Sequence, residues 1–229
     1  MIGTPRVHWR STDSTNERAR ELAVAGAPHG TLVTAGDQSA GRGRQGRVWS
    51  APPGSALLMS VVLRDLRETL PLAAAVAVCE ALPAVDCRIK WPNDVQVGGR
   101  KLAGVLVEGR PQEGWAVLGV GVNVGVEEFS GELASTATSL ALEGLTTGNE
   151  EMLHSLLVCL DARLQDDAPA VLAAWRERDA LLGQRVRWRD GEGTAAGIDQ
   201  GGALLVDTSG GRVTLHAGEV HLFRGPSEE

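Results

Sequence analysis

The sequence has no tyrosine, two phenylalanines and three cysteines among its 229 residues. An odd number of cysteines without metal-binding spacing argues against a disulfide framework and a zinc site. We interpret Cys79, Cys87 and Cys159 as reduced thiols, with Cys79 and Cys159 as small core residues. No apolar run approaches the roughly 20 residues of a membrane helix, and the N-terminus lacks the apolar segment of a secretory signal. These absences predict a cytoplasmic protein without membrane contact.

Basic residues are in the minority, with 22 lysines and arginines against 29 acidic residues and a net charge of −7. A nucleic-acid binder needs a basic field, so this balance argues against nucleic acid as a partner. The sign reverses in residues 41–47, which hold three arginines and no acid. A short positive loop on an acidic protein indicates a small anionic ligand.

Hydrophobic periodicity and turn residues divide the chain into helices, strands and one long loop. The loop, residues 37–54, is predicted to contain no regular element because it is rich in glycine, proline and arginine. A hairpin turn is predicted at Gly98 and Gly99, and Pro169 is expected in the first turn of a helix. The predicted helices are 14–25, 69–83, 148–165 and 167–182, and the predicted strands are 6–9, 30–36, 55–64, 86–90, 94–97, 101–108 and 115–124.

The pattern changes near residue 183. Short strands separated by glycine-containing turns follow about every ten residues, which predicts a small antiparallel barrel. We therefore predict two domains, residues 1–183 and residues 184–229.

Residues 41–47 alternate glycine with arginine. Glycines let the backbone approach a ligand, and arginines offer forked donors to phosphate or carboxylate oxygens. The segment is neither a Walker A loop nor a dinucleotide fingerprint, and a solvated flexible loop is the alternative. Trp49, just beyond, is either an ordinary packing residue or placed to stack on a purine.

Two further segments carry polar groups at strand ends. Asn93 and Asp94 in the sequence KWPND form an ordinary turn or hydrogen-bond a substrate or a Mg²⁺-bound water. Lys101 is either a solvated edge charge or a ligand contact, and Gly104 in mid-strand often marks close approach of a ligand.

Alternate glycines at 119, 121 and 125 predict a flat floor for a ring system, or a close crossing of another element. Asn123 ends this run and offers hydrogen bonds to an adenine edge. Ser14 and Glu17 have the spacing of a capping box, which explains the serine without any ligand. A helix start also presents hydroxyl and amide groups to a ligand.

Taken in order, these segments resemble the biotin protein ligases. The matching strings are STN (14–16), QxAGRGRQGRxW (38–49), KWPND (90–94), RKLAG (100–104), GVGVN (119–123) and GIDQGGALLVD (197–207). The resemblance implies an α+β fold, with a mixed β-sheet flanked by helices as in class II synthetase-like domains, followed by a small SH3-like β-barrel.

The resemblance also implies an activity and its partners. The enzyme would make biotinyl-5′-AMP from biotin and ATP with Mg²⁺, then transfer biotin to a lysine of a biotin carboxyl carrier protein. That carrier would belong to acetyl-CoA carboxylase or a related carboxylase, and a homodimer is expected. The metal ligands are not specified by the sequence.

By the same resemblance, the expected residues fall into three groups. The catalytic residues are Arg42, Lys101 and Asp94. The biotin-binding residues are Ser14, Thr15, Asn16, Gln38, Gly41, Arg42, Lys101, Gly104 and Gly119. The nucleotide-binding residues are Arg44, Arg47, Trp49, Asn93 and Asn123.

The sequence departs from the family pattern at Gln45, where a basic residue is common, and we expect a modest effect. Arg224 is a candidate ATP contact from the barrel. Relatives that repress transcription have a winged-helix domain before the STN segment, which here starts at residue 14, so no repressor role is expected. A lipoate ligase or octanoyltransferase of the same fold is the alternative, and a non-enzymatic biotin- or nucleotide-binding module is a second.

Overall fold

The structure is a computed structural model that describes residues 2–216 and 218–222. Arg224 lies outside the described residues. The helices are α1 (Thr15–Val24), α2 (Leu70–Glu80), α3 (Leu133–Thr136), α4 (Asn149–Arg163) and α5 (Ala168–Arg176). The strands are β1 (Arg6–Trp9), β2 (Leu32–Ala35), β3 (Gly41–Arg42), β4 (Val48–Trp49), β5 (Ala56–Leu63), β6 (Cys87–Lys90), β7 (Asp94–Val97), β8 (Arg100–Arg110), β9 (Trp115–Asn123), β10 (Arg185–Trp188), β11 (Gly191–Ile198), β12 (Leu204–Thr208), β13 (Gly211–Leu215) and β14 (His221–Leu222).

A seven-stranded mixed sheet forms the larger part of the molecule, in the order β1-β2-β5-β9-β8-β7-β6. Only the β1–β2 pair is parallel, and the other pairs are antiparallel. Because side chains alternate between the faces of a strand, Val61 and Leu63 of β5 join the main core while Val62 packs with Ala19 and Ala23 of α1. The predicted α+β class with helices flanking a mixed sheet is therefore confirmed.

The C-terminal strands form a separate five-stranded antiparallel sheet, in the order β13-β12-β11-β10-β14. This is the predicted small SH3-like barrel. It packs on α2 and on the turn that follows β6: the Trp91 indole N–H donates to the Gly202 carbonyl at 3.0 Å, and Val186 and Leu204 belong to the same core cluster as Leu72 of α2. The exact boundary at residue 183 remains a prediction.

Two of the predicted elements are corrected. The segment 37–54 does contain regular structure, since β3 and β4 pair as a short antiparallel hairpin. The last helix ends at Arg176 rather than at residue 182. It ends early because the following backbone pairs with β6: Ile89 N–H donates to the Arg178 carbonyl at 2.7 Å, and Ala180 N–H donates to the Ile89 carbonyl at 3.0 Å.

The predicted hairpin turn and the predicted first-turn proline are both confirmed, whereas Cys159 is half-buried rather than a buried core residue. Gly98 and Gly99, both with positive φ, form the predicted turn between β7 and β8, and Pro169 lies in the first turn of α5. Cys79, Cys87 and Cys159 are free, and the first two are buried. Among the described residues, no helix has the length and apolar character needed to cross a membrane.

Candidate active site

A cavity of about 780 Å³ opens beside the N-terminus of α1, on the face of the large sheet that α1 covers. Such a volume is typical of sites for small organic ligands. Of the predicted site residues that the structure describes, all line it except Gly41. Gly41 instead lines a second cavity of about 560 Å³ behind the arginine loop, with Ala40, Leu106 and Glu108. The five motifs between residues 14 and 123, distant in sequence, thus meet at one place.

One end of the cavity, which we call the cluster end, is formed by a compact group of hydrogen-bonded side chains around Thr15. The Thr15 backbone N–H and hydroxyl both donate to Gln38 Oε1, at 2.7 and 3.1 Å. The Ser60 hydroxyl lies 2.8 Å from Thr15 Oγ1 and 2.6 Å from Asn16 Oδ1. Ser60 was missed by the sequence reasoning, although a lone polar residue inside the apolar run of β5 was the available signal. The cluster fixes the orientation of Thr15 and Gln38 beside the cavity.

Asn16 explains why residue 119 is a glycine. The Asn16 side-chain amide donates to Glu108 Oε2 at 2.7 Å. A β-carbon at position 119 would lie 2.0 Å from Asn16 Oδ1. The close approach at Gly119 is therefore to a side chain of the same protein.

Gly119→Ala tests this packing. The added methyl must push Asn16 away from Ser60 and Glu108, and we expect the free energy of unfolding to fall by about 1–3 kcal/mol. Thermal or urea unfolding measures the change. Gly125→Ala is the matched control, because the nearest atom to its added carbon is the Ser55 carbonyl oxygen at 3.9 Å. Equal stability of the two variants would contradict the role given to Asn16.

The predicted capping box at Ser14 and Glu17 is wrong. Ser14 occupies the N-cap position of α1, but its side chain makes no capping hydrogen bond. Glu17 turns instead to Arg20 and to Arg42, whose Nη2 lies 3.1 Å from Glu17 Oε2. Hydrogen bonding from Arg20, assisted by the charges of Arg20 and Arg42, holds the pKa of Glu17 below its usual range. An ion pair with Arg20 of the same helix and a tertiary one with Arg42 have replaced the cap, and the Ser14 side chain is not engaged by the helix.

The arginine loop, residues 41–47, is held by contacts to three different parts of the protein. Arg42 pairs with Glu17 and lies 3.7 Å from Glu108. Arg44 donates to Asn93 Oδ1 at 3.5 Å, and burial lowers the pKa of its guanidinium. Arg47 pairs at 2.5 Å with Glu219, which precedes β14. Gln45 adopts a left-handed conformation with φ 56° and is exposed.

The glycine floor predicted from residues 119, 121 and 125 is found only in part: the Trp49 indole lies on Gly121 and on Gly104 of the neighbouring strand. A β-carbon on Gly104 would be 3.2 Å from this ring, and one on Gly121 would be 2.7 Å from it. Lys101 Nζ is 5.6 Å from the ring centroid. The Trp49 N–H is buried and has no hydrogen-bond partner among the described residues. Stacking of Trp49 on a purine stays a prediction.

Lys101 and Asp94 form an ion pair at 2.7 Å on the cavity wall. Asn93 is buried and braces the adjoining strands, since its amide donates to the Val105 carbonyl at 2.6 Å. Asn123 is buried likewise, and its amide donates to the Thr138 carbonyl at 2.9 Å. Both asparagines therefore have structural partners in addition to the ligand contacts predicted for them.

The cavity also has a wall that no motif indicated. Arg187, His221 and Leu222 of the barrel line it. So does Lys90 at the end of β6, which the sequence reasoning placed in a motif but gave no role. Docking of one domain on another depends on tertiary packing, so the sequence pattern gave no signal for the barrel residues. Among the described residues, no group of three His, Cys, Asp or Glu side chains is placed to hold a metal ion.

Two family models match the chain. The biotin/lipoate A/B protein ligase family matches residues 9–126, which include the motifs from STN (14–16) to GVGVN (119–123). The biotin protein ligase C-terminal domain matches residues 181–222. The two matches correspond to the two sheets.

Similar proteins and structures extend over nearly the whole chain. The biotin–[acetyl-CoA-carboxylase] ligase of Mycobacterium tuberculosis is 35% identical, over 93% of this chain and 89% of its own length. The biotin–[acetyl-CoA-carboxylase] ligase of Paracoccus denitrificans is 37% identical, over 91% of this chain and 97% of its own length. The biotin protein ligase of Aquifex aeolicus, solved with biotin and ATP, superposes with a TM-score of 0.84 at 28% identity, covering 97% of this chain and 100% of that one.

Proposed function

The chain belongs to the biotin/lipoate A/B protein ligase family, and we propose that it activates biotin with ATP and transfers it to a carrier lysine. It is an ATP-dependent biotin–[acetyl-CoA-carboxylase] ligase, and the relatives favour biotin over lipoate as the acid. The observation that carries this function is the single cavity, in which a hydrogen-bonding cluster, an arginine loop and the Lys101–Asp94 pair adjoin.

The first step brings two anions together. A carboxylate oxygen of biotin bonds to the α-phosphorus of ATP, the bond from that phosphorus to the bridging oxygen breaks, and pyrophosphate leaves with the electron pair. Two unit charges about 4 Å apart repel by about 4 kcal/mol at an effective dielectric of 20. We assign the neutralisation of this charge to Arg42 and Lys101, because cations held against the developing charge lower the barrier. No protein nucleophile is needed, because the biotin carboxylate is already ionised.

We assign the cluster end of the cavity to the biotin ring system. Ser14, Thr15, Asn16 and Gln38 present hydroxyl and amide groups there, and an apolar floor continues beneath them. Arg42 and Lys101 then meet the biotin carboxyl. Gly41, Gly104 and Gly119 are assigned to the biotin site because the absence of side chains at these positions leaves room for Gln38, Trp49 and Asn16, respectively. Trp49, Asn93 and Asn123 are assigned to the nucleotide together with Arg44 and Arg47.

In this proposal, two cations of the cavity exchange their protein carboxylate partners for the substrates when these bind. Arg42 must leave Glu17, and Lys101 must leave Asp94, for each cation to reach the carboxylate and the α-phosphate. The released Asp94 is then placed to accept or orient the proton of the carrier lysine in the second step. One residue pair thus serves both steps in turn.

The arginine loop must also shield the product, because a mixed anhydride hydrolyses when water reaches it. Its present contacts are partly exposed ion pairs, each worth about 0.2–1 kcal/mol, whereas ordering costs roughly 1–2 kcal/mol per residue. We expect trypsin to cut after Arg42, Arg44 or Arg47 in the free enzyme and to cut there at least about tenfold more slowly with biotinyl-5′-AMP bound. Cleavage after Arg189, an exposed barrel residue, is the internal control. Unchanged cleavage of the loop would contradict the shielding role.

Further aspects of the function are proposals as well. ATP enters as its Mg²⁺ complex, with the ion held mainly by phosphate oxygens and water, as Mg²⁺ commonly is. The carrier is the biotin carboxyl carrier protein of acetyl-CoA carboxylase or of a related carboxylase. We also propose a cytoplasmic homodimer, which light scattering at micromolar concentration and cell fractionation test.

Pyrophosphate release separates the candidate activities. With ATP present, we expect release that depends on biotin and is at least about a hundredfold slower with lipoate or octanoate. Binding of biotin without pyrophosphate release would indicate a binding module instead. Faster release with lipoate would indicate a lipoate ligase.

A further inference from the structure

Ser60 is a fully buried polar residue that lies behind the cluster end and does not line the cavity. The other seven residues of its strand β5 are apolar. Its hydroxyl lies between two polar groups of α1, at 2.8 Å from Thr15 Oγ1 and 2.6 Å from Asn16 Oδ1. A buried hydroxyl is unfavourable unless it forms hydrogen bonds, so the role of Ser60 lies in these two contacts.

The direction of each hydrogen bond in this group follows from its outer end, the carboxylate of Glu108. A carboxylate only accepts hydrogen bonds, so the Asn16 amide nitrogen must face Glu108, at 2.7 Å, and the Asn16 oxygen must face Ser60. The Asn16 oxygen likewise only accepts, which directs the single hydroxyl proton of Ser60 to Asn16. Because either member of a hydroxyl pair can be the donor, Ser60 is then left as the acceptor toward Thr15.

Thr15 therefore meets a ligand as a hydrogen-bond acceptor. Its hydroxyl proton has two acceptors within the protein, Ser60 Oγ at 2.8 Å and Gln38 Oε1 at 3.1 Å. With the proton on either one, Thr15 presents only a lone pair to the cavity.

Gln38, beside Thr15 on the cavity wall, is fixed in the opposite sense. Its oxygen accepts the Thr15 backbone N–H at 2.7 Å. Its amide nitrogen lies beside Gly41, where an added β-carbon would be 2.9 Å away. Among the described residues no protein group accepts a hydrogen bond from this nitrogen. Gln38 therefore offers N–H donors to a ligand next to the lone pair of Thr15.

An acceptor next to a donor is complementary to a ring that carries an N–H beside a carbonyl oxygen. A cyclic urea, such as the ureido ring of biotin, has this edge. The dithiolane ring of lipoate has neither group, so it would leave both Thr15 and Gln38 without partners. Sites built for hydrogen bonds discriminate strongly against ligands that lack them.

We propose that Ser60 is a specificity-determining positioning residue, which selects a ureido ring by fixing Thr15 as an acceptor. Asn16 and Glu108 set the direction of the Ser60 proton, and Ser60 itself touches no substrate. The proposal rests on the proposed function and deepens it. Since Glu108 also lies 3.7 Å from Arg42, the same carboxylate adjoins the arginine loop.

Ser60→Ala tests the proposal with two analogues of biotin, in each of which a different ureido N–H is replaced by oxygen. At least one analogue should bind the unaltered enzyme about tenfold to a hundredfold more weakly than biotin in calorimetry. In Ser60→Ala the Thr15 proton is released from Ser60 and can turn to the analogue's ring oxygen. The penalty for that analogue should therefore fall below about fivefold, while biotin itself binds about tenfold more weakly.

Glu108→Gln is a second variant on a partly exposed side chain, so it does not depend on how the core tolerates Ser60→Ala. A glutamine both donates and accepts, so it no longer fixes the orientation of Asn16, and the analogue penalty should lie between the other two values. The matched control is Thr31→Val. Thr31 is a buried hydroxyl residue that donates to the Pro28 carbonyl at 2.8 Å and does not line the cavity. This variant should keep the full penalty.

The analogue penalty separates a positioning role from a merely structural one, since loss of packing would weaken biotin and the analogue equally. The same penalty in Ser60→Ala as in the unaltered enzyme would overturn the proposal. Equal affinity of the unaltered enzyme for biotin and both analogues would also overturn it. Absence of biotin-dependent pyrophosphate release from the unaltered protein would instead overturn the proposed function itself.

Discussion

Replacement of Lys101 by methionine should slow biotin-dependent pyrophosphate release by about a hundredfold to a thousandfold. Methionine keeps much of the aliphatic volume beside Trp49 and Gly104 but removes the ammonium group. The Lys101 ammonium group lies 2.7 Å from Asp94. We propose that it moves to the reacting carboxylate and α-phosphate when the substrates bind. The loss should therefore appear mainly in kcat for adenylation, which single-turnover formation of biotinyl-5′-AMP measures directly.

The control for Lys101→Met is Arg110→Gln. Arg110 lies at the far end of the same strand, pairs with Glu113 and does not line the cavity. The Arg110→Gln variant should retain the full rate of adenylation. If Lys101→Met forms biotinyl-5′-AMP at a rate within about threefold of the unaltered enzyme, Lys101 is not a catalytic residue.

Arg42→Gly should produce an enzyme that still makes biotinyl-5′-AMP but releases it. Arg42 is the loop residue that reaches back toward the cluster end of the cavity, through Glu17 and Glu108. Removal of one hydrogen-bonded charge contact costs about 1.5–3 kcal/mol, so the affinity for the adenylate should fall by about tenfold to a hundredfold. The released anhydride would then biotinylate lysines of a bystander protein such as albumin.

Arg189→Gly is the matched control, since it removes an exposed barrel arginine outside the cavity. Bystander labelling should stay at the background of the unaltered enzyme in that variant. Tight retention of the adenylate by Arg42→Gly would show that the rest of the loop is sufficient to hold the product.

Glycine and arginine patterns are local signals, so the sequence was sufficient to single out these segments, and the resemblance implied that they form one site. Gly104, Lys101 and Trp49 were singled out by residue type and position, and all three lie together on the sheet. The capping-box prediction was wrong because it considered local spacing alone. Glu17 has the right spacing from Ser14, but the loop brings Arg42 within 3.1 Å, and this distant partner is absent from any local pattern.

Other parts of the site depend on packing between distant segments. The contribution of Arg187 follows from the docking of the barrel on the sheet, through contacts such as Trp91 with Gly202. The position of Lys90 on the cavity wall, directly opposite Asp94 on the neighbouring strand, appears only once the cross-strand partners are known. Sequence patterns indicate which residues are unusual, whereas charge balance requires the fold.

Transfer of biotin to a carrier tests the central claim most directly. The measurement is the mass of a carboxylase carrier domain after incubation with the enzyme, biotin and MgATP, beside a carrier whose acceptor lysine is replaced by arginine. We predict one added biotin on the unaltered carrier, none on the arginine variant, and none when ATP is omitted. An unmodified carrier in the presence of biotin and ATP, or labelling that persists on the arginine variant, would contradict the assignment of this chain as a biotin ligase.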